Sequence, residues 1–245
     1  MSSKSDFNSI SHPKASSTVG CGDVMDSSDL IRGFPRLYHM AHEDAWDGIQ
    51  RHGLLSTTAL LDLFEIQNPE RAKIRSKRRP ESVLIEHKIH GKAVIRDNKP
   101  LDDEGLLRCL ADFSPEEWYQ MLNDRVFFWL SEQRLITLLS ARAYRRNQHC
   151  VITIGTSRFV RDYQDRIWLS PMNSGNTKPI PHPRGANTFQ RIKDYSFNDW
   201  RARRGSATKA IAELAVDYAV PDILQYVEEV TIRDHRGISS IIYRA

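Results

Sequence analysis

The chain has 245 residues, 40% of them hydrophobic and 27% charged, with a formal net charge of +4. That length can bury a full core in one domain, or in one domain with an appendage. No apolar run approaches the ~18 residues a membrane-spanning helix needs. The three cysteines, Cys21, Cys109 and Cys150, form no CxxC, so neither a disulfide framework nor a zinc ribbon is indicated, and a reducing cytoplasm suits them.

Residues 1 to about 30 are rich in Ser, Asp and Lys without an apolar stretch, and read as a disordered tail instead of a signal peptide. The remainder, 31–245, reads as a single domain. Arg36 to Ala41 is a short strand-like run with Tyr38 and His39 in its middle. The segment from Glu43 to Gly53 predicts a compact helix. Its acids occupy the first turn, Ala45, Trp46 and Ile49 make one apolar stripe, and Gly53 supplies the stop before Leu54-Leu55-Ser56.

Arg71, Lys73, Arg75, Lys77, Arg78 and Arg79 then crowd a segment with no acid between them. Such a run attracts phosphate backbones or is simply a solvated basic loop. In the stretch from about Glu81 to Asn123, Gly91 to Leu101 reads as strand and turn, and Ser114-Pro-Glu-Glu-Trp as the start of a Ser-capped helix. Asp124 to Tyr144 is an aromatic-rich strand running into a helix capped by Ser131. Leu135, Leu138, Leu139 and Arg142 share one face of that helix, which predicts Arg142 at a core position, paired or pointing into a site.

The long segment from Ser170 to Thr208 carries Tyr195, Phe197 and Trp200 and a second basic cluster of Arg201, Arg203 and Arg204, with Lys209 just beyond. It leads into Ala-Ile-Ala-Glu-Leu-Ala-Val, an almost wholly apolar strand around Glu213. Alternation puts Ala212, Leu214 and Val216 on one face and Ile211, Glu213 and Ala215 on the other, and Pro221 ends the pairing. A carboxylate in such a run is paired, hydrogen-bonded, or lining a cleft where its basicity is used.

Taken together, these pieces resemble the ADP-ribosyltransferase superfamily, and within it the DarT-like enzymes that modify nucleic acid. The resemblance rests on Tyr38-His39, on His52-Gly-Leu-Leu-Ser56, on Val126-Phe-Phe-Trp-Leu-Ser131, and on Ala212-Glu213 followed by Val220-Pro221, in that order. It implies an α+β domain with a split, strongly bent antiparallel sheet and flanking helices, and a NAD cleft between Tyr38-His39 and Glu213. It implies Glu213 as the catalytic carboxylate, stabilising positive charge on the ribose and taking the acceptor's proton. His39 would hydrogen-bond dinucleotide hydroxyls without being charged. Phe127 and Trp129 would hold the nicotinamide, while alternation sends Phe128 the other way. Arg75, Arg78 or Arg79 would supply a site arginine, and Arg75 and Arg142 would contact the cofactor. The segment before Glu213, with Trp200, Arg201, Arg203 and Arg204, would meet the acceptor, single-stranded DNA or RNA. The implied role is a bacterial toxin or defence effector that needs a neutralising antitoxin. The stretch 81–123 is larger than a minimal DarT has, which bears on the substrate more than on the fold.

Other readings stand beside this one. On the residues alone His39 reads first as a satisfied core histidine and Phe127 to Leu130 as plain core. His39, His42 and Glu43 need not converge on a metal, so no metal is expected, and Glu86, His87 and His90 read as a solvated polar stretch. Protein ADP-ribosylation and NAD hydrolysis are the enzymatic alternatives. A tRNA 2′-phosphotransferase would want several arginines around a phosphate and no essential Glu. A nucleic-acid-binding protein without catalysis is the alternative of another class. No Walker loop, GxGxxG, HExxH or GxSxG appears.

Overall fold

The computed structural model describes residues 26–245. The chain runs α1 (Ser27–Gly33), β1 (Arg36–His42), α2 (Trp46–His52), β2 (Leu54–Leu55), α3 (Thr57–Leu63), α4 (Glu70–Ser76), β3 (Val83–His87), β4 (Gly91–Ile95), α5 (Asp103–Cys109) and α6 (Pro115–Asn123). It continues through β5 (Arg125–Trp129), α7 (Glu132–Leu139), β6 (His149–Gly155), α8 (Thr156–Tyr163), β7 (Ile167–Ser170), β8 (Gln190–Arg191), α9 (Phe197–Arg204) and α10 (Ala207–Ala210). It ends in β9 (Glu213–Asp217), β10 (Ala219–Val220), β11 (Val227–Asp234) and β12 (Gly237–Arg244). Among the described residues no helix is long and apolar enough to cross a membrane.

The main sheet has the order β12-β11-β6-β1-β5-β9-β7-β8, and its strand pairs are antiparallel. It is split in the middle. β1 pairs with β6 over its whole length, from Arg36↔Gly155 to His42↔His149, but meets β5 only at Tyr38↔Trp129. β5 in turn follows β9 from Arg125↔Asp217 to Trp129↔Glu213. Two four-stranded halves therefore share one residue pair. This is the α+β, split antiparallel architecture expected from the sequence.

Packing differs on the two faces. On one, a single core unites both halves: Leu37, Ile152 and Val230 from the first, Phe128, Leu214 and Val216 from the second, roofed by Leu30, Trp46, Phe159 and Tyr195. On the other face the cover is divided. α7 lays Leu135 and Leu139 on Met40 and Val151, while α5 and α6 lay Leu106 and Trp118 near Ala215. The β3–β4 hairpin packs separately on α3 and α4 through Ile85, Ile95, Leu61 and Ile74.

The expected helix starts hold where capping chemistry is present. Ser131 accepts from the Arg134 N–H, and Ser114 and Glu117 form a reciprocal capping box with Pro115 at the first helical position. Three expectations shift. α2 begins at Trp46, so Glu43 and Asp44 lie in the preceding turn. The predicted tail to about 30 overlaps α1, because Leu30 and Phe34 insert into the main core; residues 1–25 lie outside the described residues. α7 ends at Leu139, and 140–147 turns back so that β6 can pair on both sides. Arg142, expected on the apolar stripe, is consequently exposed.

Gly53 fixes the crossing of β2 and β10. Its φ is 77° and ψ −174°, its N–H caps α2 at the Ile49 carbonyl, and a Cβ there would stand 2.6 Å from the Pro221 carbonyl oxygen. Gly53→Ala is expected to cost roughly 3 kcal/mol or more in urea unfolding, from disallowed backbone geometry and the overlap together.

Candidate active site

A cavity of about 500 Å³ opens at the split. His39, Phe127, Trp129 and Glu213 line it, together with residues of α2, α6 and the loop after β4. Alternation sends Glu213 and His39 to opposite faces of the sheet, because Glu213 stands in register with Trp129 and Trp129 with Tyr38. A cavity that passes the opening between β1 and β5 reaches both.

Glu213 is 5% exposed. Its Oε2 accepts from the Ser174 N–H at 3.1 Å and from the Ser174 hydroxyl at 2.6 Å. Burial pushes the carboxyl up to about 7, against the pull of the two Ser174 bonds and of the Arg134 and Arg184 charges. At neutral pH it is therefore poised to give or take a proton. Ser174 is itself held: its carbonyl accepts from Arg184 Nη1 at 2.8 Å and from the Trp118 indole at 3.4 Å. Arg184 also donates to the Asn176 and His182 carbonyls, so one buried guanidinium orders the loop that carries Ser174.

His39 donates Nδ1–H to the Phe127 carbonyl at 2.8 Å, since a carbonyl can only accept. Enclosure by protein, and secondarily the nearby Arg96 charge, holds the ring down to about 4, so it is neutral at pH 7. By surface area His39 is only half-buried, and the ring's surroundings govern its titration because the area it shows faces the cavity. Its Nε2 is then a lone-pair acceptor. The ring lies edge-on to Phe128 at 5.7 Å, and Phe128 enters the main core, away from Phe127 and Trp129 as alternation requires.

Other expected residues divide. Tyr38 does not line the cavity; it packs beside Trp129 and Leu138 on the α7 face. Arg75 does not reach it either, because its guanidinium forms a two-pronged pair with Asp124, at 3.1 and 2.9 Å. Arg78 caps the Lys99 and Leu101 carbonyls. Of that basic run, Arg79 lines the cavity. Arg142 does not line it, for the reason given above. Arg201, Arg203 and Arg204 are exposed on α9, where three cations in the last turn also suit the helix dipole. Trp200 is half-buried on the main core with Arg203 and Arg204 over its ring at 5.3 and 5.6 Å. His87 and His90 stack at 4.7 Å against Phe64 instead of being solvated, while Glu86 is exposed and pairs with Lys92. The donor atoms of His42, Glu43 and Asp44 converge within 4.8 Å, on half-buried to exposed side chains and without His39.

Sequence reasoning missed Ser174, Arg96, Asn123, Arg134 and Arg184, and left Arg79 as one of three candidates with Arg75 and Arg78. Arg134, in the first turn of α7, lies in the field of both Glu213 and Arg204, which links α9 electrostatically to the site.

Glu213 and His39 act oppositely on stability. Between pH 4.5 and 7 folded Glu213 binds a proton that the unfolded chain releases, so its contribution falls as pH rises. Between pH 4 and 6.5 the unfolded chain protonates His39 and the fold does not, so its contribution rises with pH and is lost in acid. Each is worth roughly 3 kcal/mol, and they offset over the shared window. Glu213→Gln should unmask the His39 limb, giving urea stability that climbs by roughly 3 kcal/mol between pH 4 and 6.5 relative to the flatter wild type. Ser174→Ala should push the Glu213 carboxyl above 7 by about one unit, read from its infrared carbonyl band against a Glu213→Gln background.

A solved structure similar to this chain is Thermosipho africanus DarTG in complex with ADP-ribose, with 14% sequence identity and a TM-score of 0.41 over 83% of this chain. This chain spans 45% of that one's length. No curated protein matches it. Residues 35–227 match the model of DUF7002, a family of unknown function, and the chain belongs to that family.

Proposed function

We propose that this protein transfers ADP-ribose from NAD to nucleic acid, with DNA the favoured acceptor. The observation that carries the reading is Glu213: a buried carboxyl with a pKa of about 7, oriented by Ser174, in the wall of a cavity that also presents a neutral His39 with a free Nε2. Cleaving the bond between nicotinamide nitrogen and ribose C1′ builds positive charge on the sugar, and a carboxylate beside it stabilises that charge. The acceptor's oxygen or nitrogen bonds to C1′, its proton passes to Glu213, and nicotinamide leaves as the neutral base. His39 Nε2 accepts from a ribose hydroxyl without competing for that proton. Phe127 and Trp129 border the space where the nicotinamide lies. The exposed cations of α9, coupled through Arg134 toward Glu213, suit an acceptor with a phosphate backbone.

The test is incubation of the purified protein with labelled NAD and separate pools of single-stranded DNA, duplex DNA, RNA and cell protein, beside Glu213→Gln. Label should enter DNA, and Glu213→Gln should slow transfer by roughly 10²–10⁴-fold. Unchanged transfer would remove Glu213 from the chemistry, and label in protein alone would reassign the acceptor. The profile of kcat/KM should rise with pH through about 7 as Glu213 ionises, with the kcat limb lower because the cationic nicotinamide favours the carboxylate. Arg201, Arg203 and Arg204 together changed to Gln should raise KM for the acceptor and flatten its salt dependence, leaving KM for NAD unaltered.

A further inference from the structure

We infer that Arg79 and Arg96 form a subsite for a phosphate-type anion in the wall of the cavity, built by the segments that flank the β3–β4 hairpin. The inference rests on the reading of this cavity as a dinucleotide site only for the source of the anion; the subsite itself stands on geometry.

Arg79 is 7% exposed. It donates to the Ile74 carbonyl, to the Arg96 carbonyl at 3.2 Å and to Asn123 Oδ1 at 2.9 Å. Asn123 is buried and tied in turn to the Arg75 carbonyl. Arg96, half-buried, donates through Nη1 to the Met40 carbonyl at 3.1 Å and lies over the Tyr144 ring at 4.9 Å. Both line the cavity, and burial lowers the pKa of each.

Neither guanidinium is in ion-pair contact with a carboxylate among the described residues. Asp97 is the acid whose field both feel, and its Oδ1 is already occupied by the Tyr144 hydroxyl and the Lys99 N–H. Two enclosed cations thus share one acid, and the neighbouring His39 is neutral. Carbonyl dipoles stabilise a guanidinium in part, but an enclosed excess charge beside an open cavity calls for a mobile counter-charge. Planar forks with N–H groups left over match the paired oxygens of a phosphate or a carboxylate, and two cations sharing one acid favour the more highly charged of these, a phosphate-type anion. Arg96 also borders a second, polar cavity of about 300 Å³ lined by Glu43, Asp97, Arg146 and His149.

The probe is inorganic pyrophosphate, titrated calorimetrically into the full chain at low salt. One saturable site is expected, raising the melting temperature of the wild type, with Arg96→Gln weakening it about tenfold or more and Arg96→Lys recovering part of the loss. Absence of saturable binding and of any melting shift, or an Arg96→Gln protein that binds as tightly as wild type, would overturn the subsite. Displacement of pyrophosphate by NAD identifies the dinucleotide as the anion's source, and displacement by an oligothymidylate identifies the acceptor strand; either supports the subsite. Glu213→Gln should keep pyrophosphate binding intact, so failure of the transfer reading is distinguishable from failure of this one.

Discussion

The site depends on what happens to backbone hydrogen bonding where the sheet divides. Two strands that separate after one shared pair release donors and acceptors toward each other, and these cannot be left buried and unpaired. Here the Phe127 carbonyl on β5 takes the His39 ring and the Met40 carbonyl on β1 takes Arg96. The side chains that repair the split are therefore the ones that line the space it opens. Their orientation is set by a backbone requirement, which is why both can be held rigidly at a cavity wall before any ligand arrives.

Glu213 is fixed by the opposite route. Its backbone is fully paired between Trp129 and Ser170, so strand geometry leaves no freedom in where the carboxyl originates. What remains adjustable is its hydrogen bonding, and that comes from one residue on a loop. The loop is stiffened by Arg184 and by Trp118 of α6, so the segment 81–123 supports the carboxylate from behind. The same segment supplies the hairpin and Asn123 on the other side of the cavity. A stretch that reads as an insertion in the sequence supplies about a third of the residues that line the cavity.

Legibility in the sequence followed the range of the interactions involved. Glu213 stood out because a carboxylate in an apolar alternating run violates a local rule, and violations of that kind mark sites. The sending of Phe128 away from Phe127 and Trp129 needed only the period of a strand. Ser131 and Ser114 were readable because capping is local. Arg79, Arg96 and Ser174 carried no such mark. An arginine within a basic run looks like its neighbours, and only tertiary placement separates Arg79, enclosed by α4 and α6, from Arg75, paired with Asp124. Arg142 was misplaced because a helical stripe was extended past Leu139, where the need to return the chain to β6 overrode the periodicity. Trp200 is half-buried against the core beneath α9, a placement that composition alone does not reveal.

The cavity wall carries groups of both signs: a carboxyl that becomes anionic near neutrality, a neutral imidazole acceptor, and two enclosed guanidinium groups that both feel Asp97. Such a wall binds poorly to a uniformly apolar or a uniformly anionic molecule, because some of its groups are always mismatched. A dinucleotide with a positively charged nicotinamide-ribose and a diphosphate offers both signs, and on the proposed reading binding energy from its anionic part would hold the sugar against the carboxylate during bond cleavage.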